Sequence, residues 1–422
     1  MEIDVDSESN RRTLAGDART RYILIAMPIR SPFHDRVAPF CTSYAWKDWA
    51  GYYAVSHYGE THLPEYWAFR EACAITDITP LFKYEIKGRD AARLLSRMTV
   101  RGFAKMHVGR VAYTCWCDAK GKVIDDGTVS RLGEDHFFMT AAEPTLSWMT
   151  RLSRGFEVEL LDVSERTGAL SLQGPTSRDV LKQCSDANLD ALKFFQTTPA
   201  KLDGAEVQIS RTGYSGDLGY ELWCNAEDSL MVWDAIMAVG RDYGIEPAGI
   251  EALDMVRIEA GFIMLGVDYY SAPHVTIDAR RSSPYEIGLG RCVKLDRGSF
   301  MGQEALRAQA ARGAEWKMVG VEADWLELEQ LYESYDLPPG LAPAACRESV
   351  PLYSDGKFVG QVTSTVWSPL LKRYISLASV MAQYAGLGTK LKLEHTALYE
   401  RKAVTATIVE RPFFEPERKR TP

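Results

Sequence analysis

The spacing of apolar residues divides the chain into short helical and short extended segments. Apolar residues recur at helical spacing, which predicts helices, over residues 63–73, 89–98, 177–184, 229–243 and 251–260. They alternate with polar residues, which predicts strands, over residues 82–88, 136–140, 157–161, 169–173 and 206–210. The two kinds of segment do not follow a regular β–α–β order, so the pattern predicts an α+β fold.

Residues 109–129 are typical of a β-hairpin. The stretch VAYTCWC alternates as far as a turn at residues 118–121, and residues 122–129 lead back. Asp125 and Asp126 lie on the returning strand, where adjacent side chains point to opposite faces, so only one of them can enter a pocket. Two adjacent carboxylates repel each other, and burial can raise the pKa of one into a useful range. A solvated pair close to the turn is the alternative interpretation.

A glycine-rich segment, SRTGYSGDLGYEL, occupies residues 210–222. Its three glycines let the backbone approach a ligand closely, and Tyr214 or Tyr220 can stack on a flat ring. A buried carboxylate such as Glu221 can accept two N–H donors from the edge of a planar ligand. The pattern alone also fits an ordinary turn.

Length and composition narrow the class of protein. A chain of 422 residues is too long for one ordinary core, which predicts two or three domains. The net charge of −8 predicts no nucleic-acid partner, and no apolar run reaches the ~18 residues of a membrane span. The eight cysteines are scattered, which predicts no metal site and fits a reducing cytoplasm; Cys115 and Cys117 are expected in the core. The charged N-terminus lacks a secretory signal, so we expect a cytoplasmic protein.

Six segments, in order, resemble a known family, the glycine cleavage T-proteins or tetrahydrofolate-dependent aminomethyltransferases. The match runs from about Tyr44 to Phe414. The segments are GKVIDD at 121–126, LQGP at 172–175, RTGYSGDLGYEL at 211–222, PAG followed by RIEAG between 247 and 261, FMGQEAL at 300–306 and TSTVWSPLLKRYISLA at 363–378.

The resemblance implies a three-domain cloverleaf with folate in a central hole. Residues 1–35 would be an N-terminal extension, whose apolar run at 22–29 predicts a strand or packing segment. Residues 36–318 would form the folate-binding region of two intertwined α+β subdomains, and residues 319–422 a barrel-like all-β domain. A Pro/Gly-rich stretch at 329–348 predicts a loop near a domain boundary.

The resemblance also implies roles for single residues. Asp126 would lie beside the reacting nitrogen of folate, orient folate and handle the N5 or N10 proton. Glu221 would hold the pterin edge, and Tyr113 would line the pocket. Tyr214 and Arg257 would lie near the aminobenzoyl-glutamate part of folate, where the planar guanidinium group of an arginine suits a carboxylate.

Three segments depart from the family pattern. Residues 77–82 read DITPLF where the family usually has D-V-S-H-M, so the histidine is missing. Residues 251–254 read EALD in place of G-A-R-D, and residues 139–141 read MTA where an asparagine is frequent. These positions lie near the substrate side in the family, so we expect a donor other than an aminomethyl-lipoyl carrier protein.

The resulting prediction is a tetrahydrofolate-dependent demethylase, closer in site pattern to the demethylases of the superfamily than to the standard T-protein. It would move a methyl group from a small sulfonium, quaternary ammonium or aryl-ether donor to folate N5. Sulfoniopropionate demethylases and aryl O-demethylases of the superfamily are precedents for such a change of donor. The aromatic residues between 44 and 66, with Trp46 and Trp49, would either attract a cationic methyl group or belong to the core.

Two other functions stay open at this point. Aminomethyl transfer in the glycine cleavage system would need a lipoylated carrier protein as partner, which the departures disfavour. A non-catalytic folate-binding protein for iron–sulphur cluster assembly would need a cysteine where RGSFMGQE, at residues 297–304, has Ser299. The folate domain of a flavoprotein has no support, because the chain has no dinucleotide-binding fingerprint.

Overall fold

The computed structural model describes residues 27–342 and 344–421. The α-helices in this part of the chain are α1 (His34–Val37), α2 (Leu63–Glu71), α3 (Ala91–Met98), α4 (Leu146–Leu152), α5 (Ser177–Cys184), α6 (Ser229–Gly240), α7 (Ile250–Glu259), α8 (Gln303–Arg312) and α9 (Trp325–Glu333). The strands are β1 (Ala45–Trp49), β2 (Tyr52–His57), β3 (Cys73–Asp77), β4 (Phe82–Lys87), β5 (Val111–Cys117), β6 (Val123–Gly133), β7 (His136–Ala141), β8 (Glu159–Asp162), β9 (Thr167–Gln173), β10 (Thr197–Leu202), β11 (Ala205–Ser210), β12 (Gly219–Asn225), β13 (Ile245–Pro247), β14 (Trp316–Ala323), β15 (Val350–Ser354), β16 (Lys357–Ser368), β17 (Arg373–Met381), β18 (Lys390–Ala397) and β19 (Glu400–Val409).

The strands form two open sheets, a closed barrel and a small ribbon. One sheet has the order β10-β11-β12-β9-β3-β13, and the other has the order β5-β6-β7-β4-β8. The strands β14-β17-β16-β15-β18-β19 close into the barrel, and β1 pairs with β2. The architecture is therefore α+β with a C-terminal β-barrel, as the sequence predicts.

Helices pack against each open sheet, and helix α7 joins the N-terminal region to the barrel. Helices α5 and α6 share a core with the six-stranded sheet, and α3 and α4 share one with the five-stranded sheet. Helix α7 contacts α2, β2 and the barrel strands β16 and β17. Residues 252–259 of α7 are all buried, which is the pattern of a helix surrounded by protein.

The chain returns from the barrel to the six-stranded sheet through its last residues. The backbone N–H groups of Phe413 and Phe414 both donate to the carbonyl of Glu259, at the end of α7. Arg418 donates to both carboxylate oxygens of Asp217, at 2.6 and 2.7 Å. This segment, 411–421, therefore holds the barrel and the N-terminal region together.

The structure confirms most of the predicted elements and corrects one. Each helix and strand predicted between residues 63 and 260 has its counterpart, and the 109–129 hairpin is β5 and β6. The Pro/Gly-rich stretch at 329–348 does not lie at a domain boundary, because it begins in α9 and joins β14 to β15, two strands of the same barrel. The predicted packing segment at 22–29 lies mostly outside the described residues; within them, Ile29 bridges to Tyr52. No helix among residues 27–342 and 344–421 is long and apolar enough to span a membrane.

Candidate active site

A cavity of about 1580 Å³ opens where the two N-terminal sheets meet the segment after α7. Strands β5, β6 and β12 contribute to its wall, and so do residues 260–267, which follow α7. The C-terminal segment 411–421 contributes several side chains to its rim. Four of the five predicted site residues line this cavity, namely Tyr113, Asp126, Tyr214 and Glu221.

Asp126 is held by two tyrosines. The hydroxyl of Tyr113, on the neighbouring strand β5, donates to Asp126 Oδ2 at 2.6 Å. The hydroxyl of Tyr269 donates to Asp126 Oδ1. Both carboxylate oxygens are thus oriented by phenolic donors, and the side chain borders the cavity.

Asp125 points away from the cavity, as strand alternation requires. Its Oδ2 accepts the backbone N–H groups of Ala142 and Glu143, each at 3.0 Å, and its Oδ1 accepts the N–H of Asp126. Asp125 therefore holds the end of β7 against β6, whereas Asp126 faces the space where a ligand can bind.

The carboxyl groups have raised pKa values because they are removed from water. Burial raises the pKa of Asp126, and the hydrogen bonds from Tyr113 and Tyr269 act in the opposite direction. Burial and then the charge of Asp126 raise the pKa of Asp125 well above its ordinary value. A cavity-facing carboxylate with a raised pKa is suited to take up and release a proton.

Glu221 lies on β12, across the cavity from β6. Thr212 donates to Glu221 Oε2 at 2.6 Å, and burial raises the pKa of Glu221. The other carboxylate oxygen is available to N–H donors of a ligand. The aromatic wall beside it comes from Tyr214, whose ring stacks on Phe262 with centroids 5.6 Å apart and whose hydroxyl donates to Ile263 O at 2.6 Å.

Two motifs of the sequence meet inside the protein. Gln173, from the LQGP segment, donates from Nε2 to the carbonyls of Thr212 and Tyr220 and accepts from the Ser215 hydroxyl. A Cβ atom at Gly213 or Gly219 would collide with the Gln173 amide. These two glycines therefore admit Gln173, which fixes the loop that carries Tyr214 and precedes Glu221.

The fifth predicted residue, Arg257, does not line the cavity, and its predicted contact with folate is corrected here. Its Nε donates to Asp254 at 2.7 Å, its Nη1 to Asp268 at 2.6 Å and its Nη2 to Ser364 at 2.8 Å. The side chain is fully buried. All three nitrogens are bonded to protein groups, so Arg257 joins α7 to the barrel strand β16.

Sequence reasoning missed Tyr269 and the basic groups of the cavity. Arg291 and Arg411 both line it, and they lie close enough that the charge of Arg291, after burial, lowers the pKa of Arg411. Tyr269, Arg291 and Arg411 do not lie in periodic segments, so no local sequence pattern marks them. A Cβ at Gly288, which has φ of +79°, would collide with Arg411, so the glycine there makes room for this guanidinium group.

The three segments that depart from the family pattern reach the same cavity. Ile78, Leu81 and Phe82 line it, as do Leu253 and residues 140–141. Trp49 lines the cavity too, whereas Trp46 packs against His34, with ring centroids 5.2 Å apart, and against the core of the six-stranded sheet. The tryptophans thus divide into one core residue and one cavity residue.

Residues 33–297 match the GCVT N-terminal domain, and residues 337–415 match the glycine cleavage T-protein C-terminal barrel domain. The chain belongs to the glycine cleavage T-protein family. As a T-protein family member it is an enzyme of one-carbon transfer.

Individual T-protein relatives agree with this assignment. An aminomethyltransferase of Halothermothrix orenii is 33% identical over 356 residues, which cover 83% of this chain and 91% of that protein. A trimethylamine-oxide aldolase of Ruegeria pomeroyi is 31% identical over 408 residues, covering 93% of this chain but 48% of that protein. The crystal structure of the aminomethyltransferase T of Bartonella henselae has the same fold, with a TM-score of 0.78 at 20% identity, over 92% of this chain and 98% of that one.

Proposed function

We propose that this enzyme is a demethylase that moves a methyl group from a small methylated donor to N5 of tetrahydrofolate. The observation that carries the proposal is that one cavity is lined both by Asp126 with Glu221 and by the apolar residues that replace the family's polar ones, Leu81 and Leu253 among them. The first group suits folate, and the second suits a donor without a lipoyl arm.

The residues of the cavity fit tetrahydrofolate. Its volume of about 1580 Å³ exceeds the ~300–1,000 Å³ of ordinary ligand pockets and leaves room for a second molecule. Glu221 offers a buried acceptor for the N–H groups of a pterin, and Tyr214 with Phe262 offers an aromatic face. Arg291 and Arg411 offer cations for the carboxylates of the glutamate end.

Each residue has a separate task in this mechanism. Folate supplies the nitrogen that accepts the one-carbon unit. Asp126, oriented by Tyr113 and Tyr269, accepts the proton that leaves that nitrogen, while the donor heteroatom keeps the electron pair of its bond to the methyl group. Glu221 fixes the orientation of the pterin ring. The apolar wall excludes water from the methyl group.

The residues at the donor end of the cavity favour a methylated small molecule as the donor. Where the family usually has a histidine and an arginine, the wall is formed by Leu81 and Leu253 and their apolar neighbours, so polar contacts to an aminomethyl group are lost. The printed name of the Ruegeria pomeroyi relative, an aldolase of trimethylamine oxide, describes action on a methylated nitrogen compound. We therefore also propose a cytoplasmic enzyme whose partners are small molecules.

Aminomethyl transfer is the second candidate, because the Halothermothrix orenii relative bears that name and matches over 91% of its length. The experiment incubates the protein with tetrahydrofolate and a panel of isotopically labelled methyl donors, and separately with an aminomethylated lipoyl carrier protein. Labelled 5-methyltetrahydrofolate supports the proposal, and 5,10-methylenetetrahydrofolate formed only from the carrier protein overturns it in favour of aminomethyl transfer. The variant Asp126→Asn is the control for chemistry at this site.

A further inference from the structure

One end of the cavity carries two cations. Strand β1 runs from Ala45 to Trp49, and its residues Lys47 and Trp49 share a face because side chains alternate along a strand. Both line the cavity. Arg347, which comes just before β15, lines it as well and lies close enough to Lys47 that its charge, after burial, lowers the pKa of the Lys47 ammonium group.

Lys47 has no anionic partner of its own. Its ammonium group makes no hydrogen bond or ion pair within the described part of the chain. Arg347 donates to Asp254 Oδ2 through Nε alone, at 2.6 Å. Asp254 also accepts from the buried Arg257, and its charge acts on Lys47 as well. Two neighbouring cations at a cavity wall repel each other, and an anion between them relieves that repulsion.

The acidic groups nearby are engaged elsewhere. Asp48 accepts the backbone N–H of Gly51 in the turn after β1. Glu143 lies 3.3 Å from a ring nitrogen of His274. Glu251 lies at the same distance from His62. Lys47 therefore experiences the charge of Arg347, which lowers its pKa, and those of Glu251 and Asp254, which raise it, but neither carboxylate forms an ion pair with its ammonium group within the described part of the chain.

The surface next to Lys47 is apolar and aromatic. Trp49 packs against a cluster that contains Ile78, Leu81 and Trp223. The last three also line the cavity. A molecule that fits both surfaces has an anionic group at one end and an apolar or methyl-bearing group at the other.

We propose that the methyl donor of this enzyme is a small organic acid. Lys47 and Arg347 bind its carboxylate, and Trp49 and Trp223 border its methylated end. This inference rests on the proposed function, and it goes further by naming the group that the donor must carry besides its methyl.

The test measures donor binding to the folate-free protein by calorimetry, with two matched pairs of probes. Glycine betaine is compared with choline, and 4-methoxybenzoate with 4-methylanisole, so that each pair differs in its carboxylate. We expect at least one acid to bind at least about tenfold more tightly than its partner, since a charge-assisted hydrogen bond contributes at that level. Equal affinity within both pairs, or binding of neither acid, overturns the proposal.

Variants of the cationic wall supply the second measurement. Lys47→Gln should weaken binding of the acid about tenfold, Lys47→Arg should restore most of it, and Lys357→Gln, at an exposed position of the barrel, should change nothing. Unchanged affinity in Lys47→Gln contradicts the inference. If acids bind as expected but never yield methylated folate, the proposed function fails while the anion site stands. If folate is methylated equally from donors without a carboxylate, the proposed function stands and the requirement for an acid fails.

Discussion

The hydroxyl of Tyr269 donates a hydrogen bond to Oδ1 of Asp126, although 143 residues separate the two in sequence. The bond connects the segment after α7 to strand β6. Together with the bond from Tyr113 it leaves the Asp126 carboxylate no freedom to turn away. A preorganised carboxylate is what proton transfer to or from a bound molecule requires.

Asp126 and Asp125 should respond differently to the same substitution. Asp126→Asn removes the proton acceptor and should lower kcat by at least about 100-fold while the melting temperature stays close to that of the wild type. Asp125→Asn should destabilise the fold by about 1–3 kcal/mol, because an amide cannot accept all three backbone N–H groups. Turnover and thermal melting of both variants check this, and a normal kcat in Asp126→Asn would contradict it.

Removal of the Tyr269 hydroxyl should shift the pH dependence of turnover. The hydrogen bond from Tyr269 lowers the pKa of Asp126, so Tyr269→Phe raises it further. If ionised Asp126 is the active form, the acidic limb of the rate profile moves to higher pH, with little change above it. The neighbouring Tyr270, whose side chain is exposed, provides the control Tyr270→Phe. Superimposable profiles for Tyr269→Phe and the wild type would show that this hydrogen bond does not tune the catalytic group.

Lys83 should make folding stability depend on pH in the alkaline range. Its side chain is fully buried with Nζ donating to Thr79 O at 2.6 Å, and burial lowers its pKa from 10.5 to about 8. Between these values the unfolded chain holds a proton that the folded protein does not, so the free energy of unfolding rises with pH, by roughly 3 kcal/mol in total. Denaturant unfolding at pH 7.5 and at about pH 10 measures this. The rise should be absent in Lys83→Met and present in Lys87→Met, a partly exposed control on the same strand; an equal rise in both variants speaks against the assignment.

Substitution of Trp49 should affect ligand binding, whereas substitution of Trp46 should affect stability. Trp49→Ala should weaken binding of the methylated donor about fivefold, because the lost ring borders the cavity. Trp46→Ala should lower stability by about 2 kcal/mol, because this ring packs on His34 and the core, and it should leave donor affinity unchanged. Calorimetry and thermal melting on the same preparations test the distinction. Equal losses of donor affinity would mean that both rings serve the same purpose.

Local sequence patterns are sufficient to predict the hairpin and the acidic pair. Alternation along β5 and β6 is a property of neighbouring residues, and Gly121, with φ of +72°, marks the turn between them. The same alternation separates Asp126, which faces the cavity, from Asp125, which does not. These features needed no knowledge of the rest of the chain.

Features that depend on distant segments were missed or misjudged. Tyr269 reaches Asp126, and Arg411 reaches the cavity, from segments without periodicity. Arg257 was expected to bind a carboxylate, and it does, but the carboxylates belong to Asp254 and Asp268 of the protein itself. The glycines at 213 and 219 were expected to admit a ligand, and they admit Gln173 instead. In each case the residue type indicated the interaction, and only the fold could supply the partner.

Folate binding at this cavity is tested most directly by a calorimetric titration of tetrahydrofolate into the wild type, Glu221→Gln and Glu206→Gln. Glu221 accepts from Thr212 inside the cavity, whereas Glu206 is exposed on the adjacent strand. We expect one equivalent of folate bound per chain in the wild type and in Glu206→Gln, and affinity at least about tenfold lower in Glu221→Gln. No binding to the wild type, or equal affinity in all three proteins, would contradict this expectation.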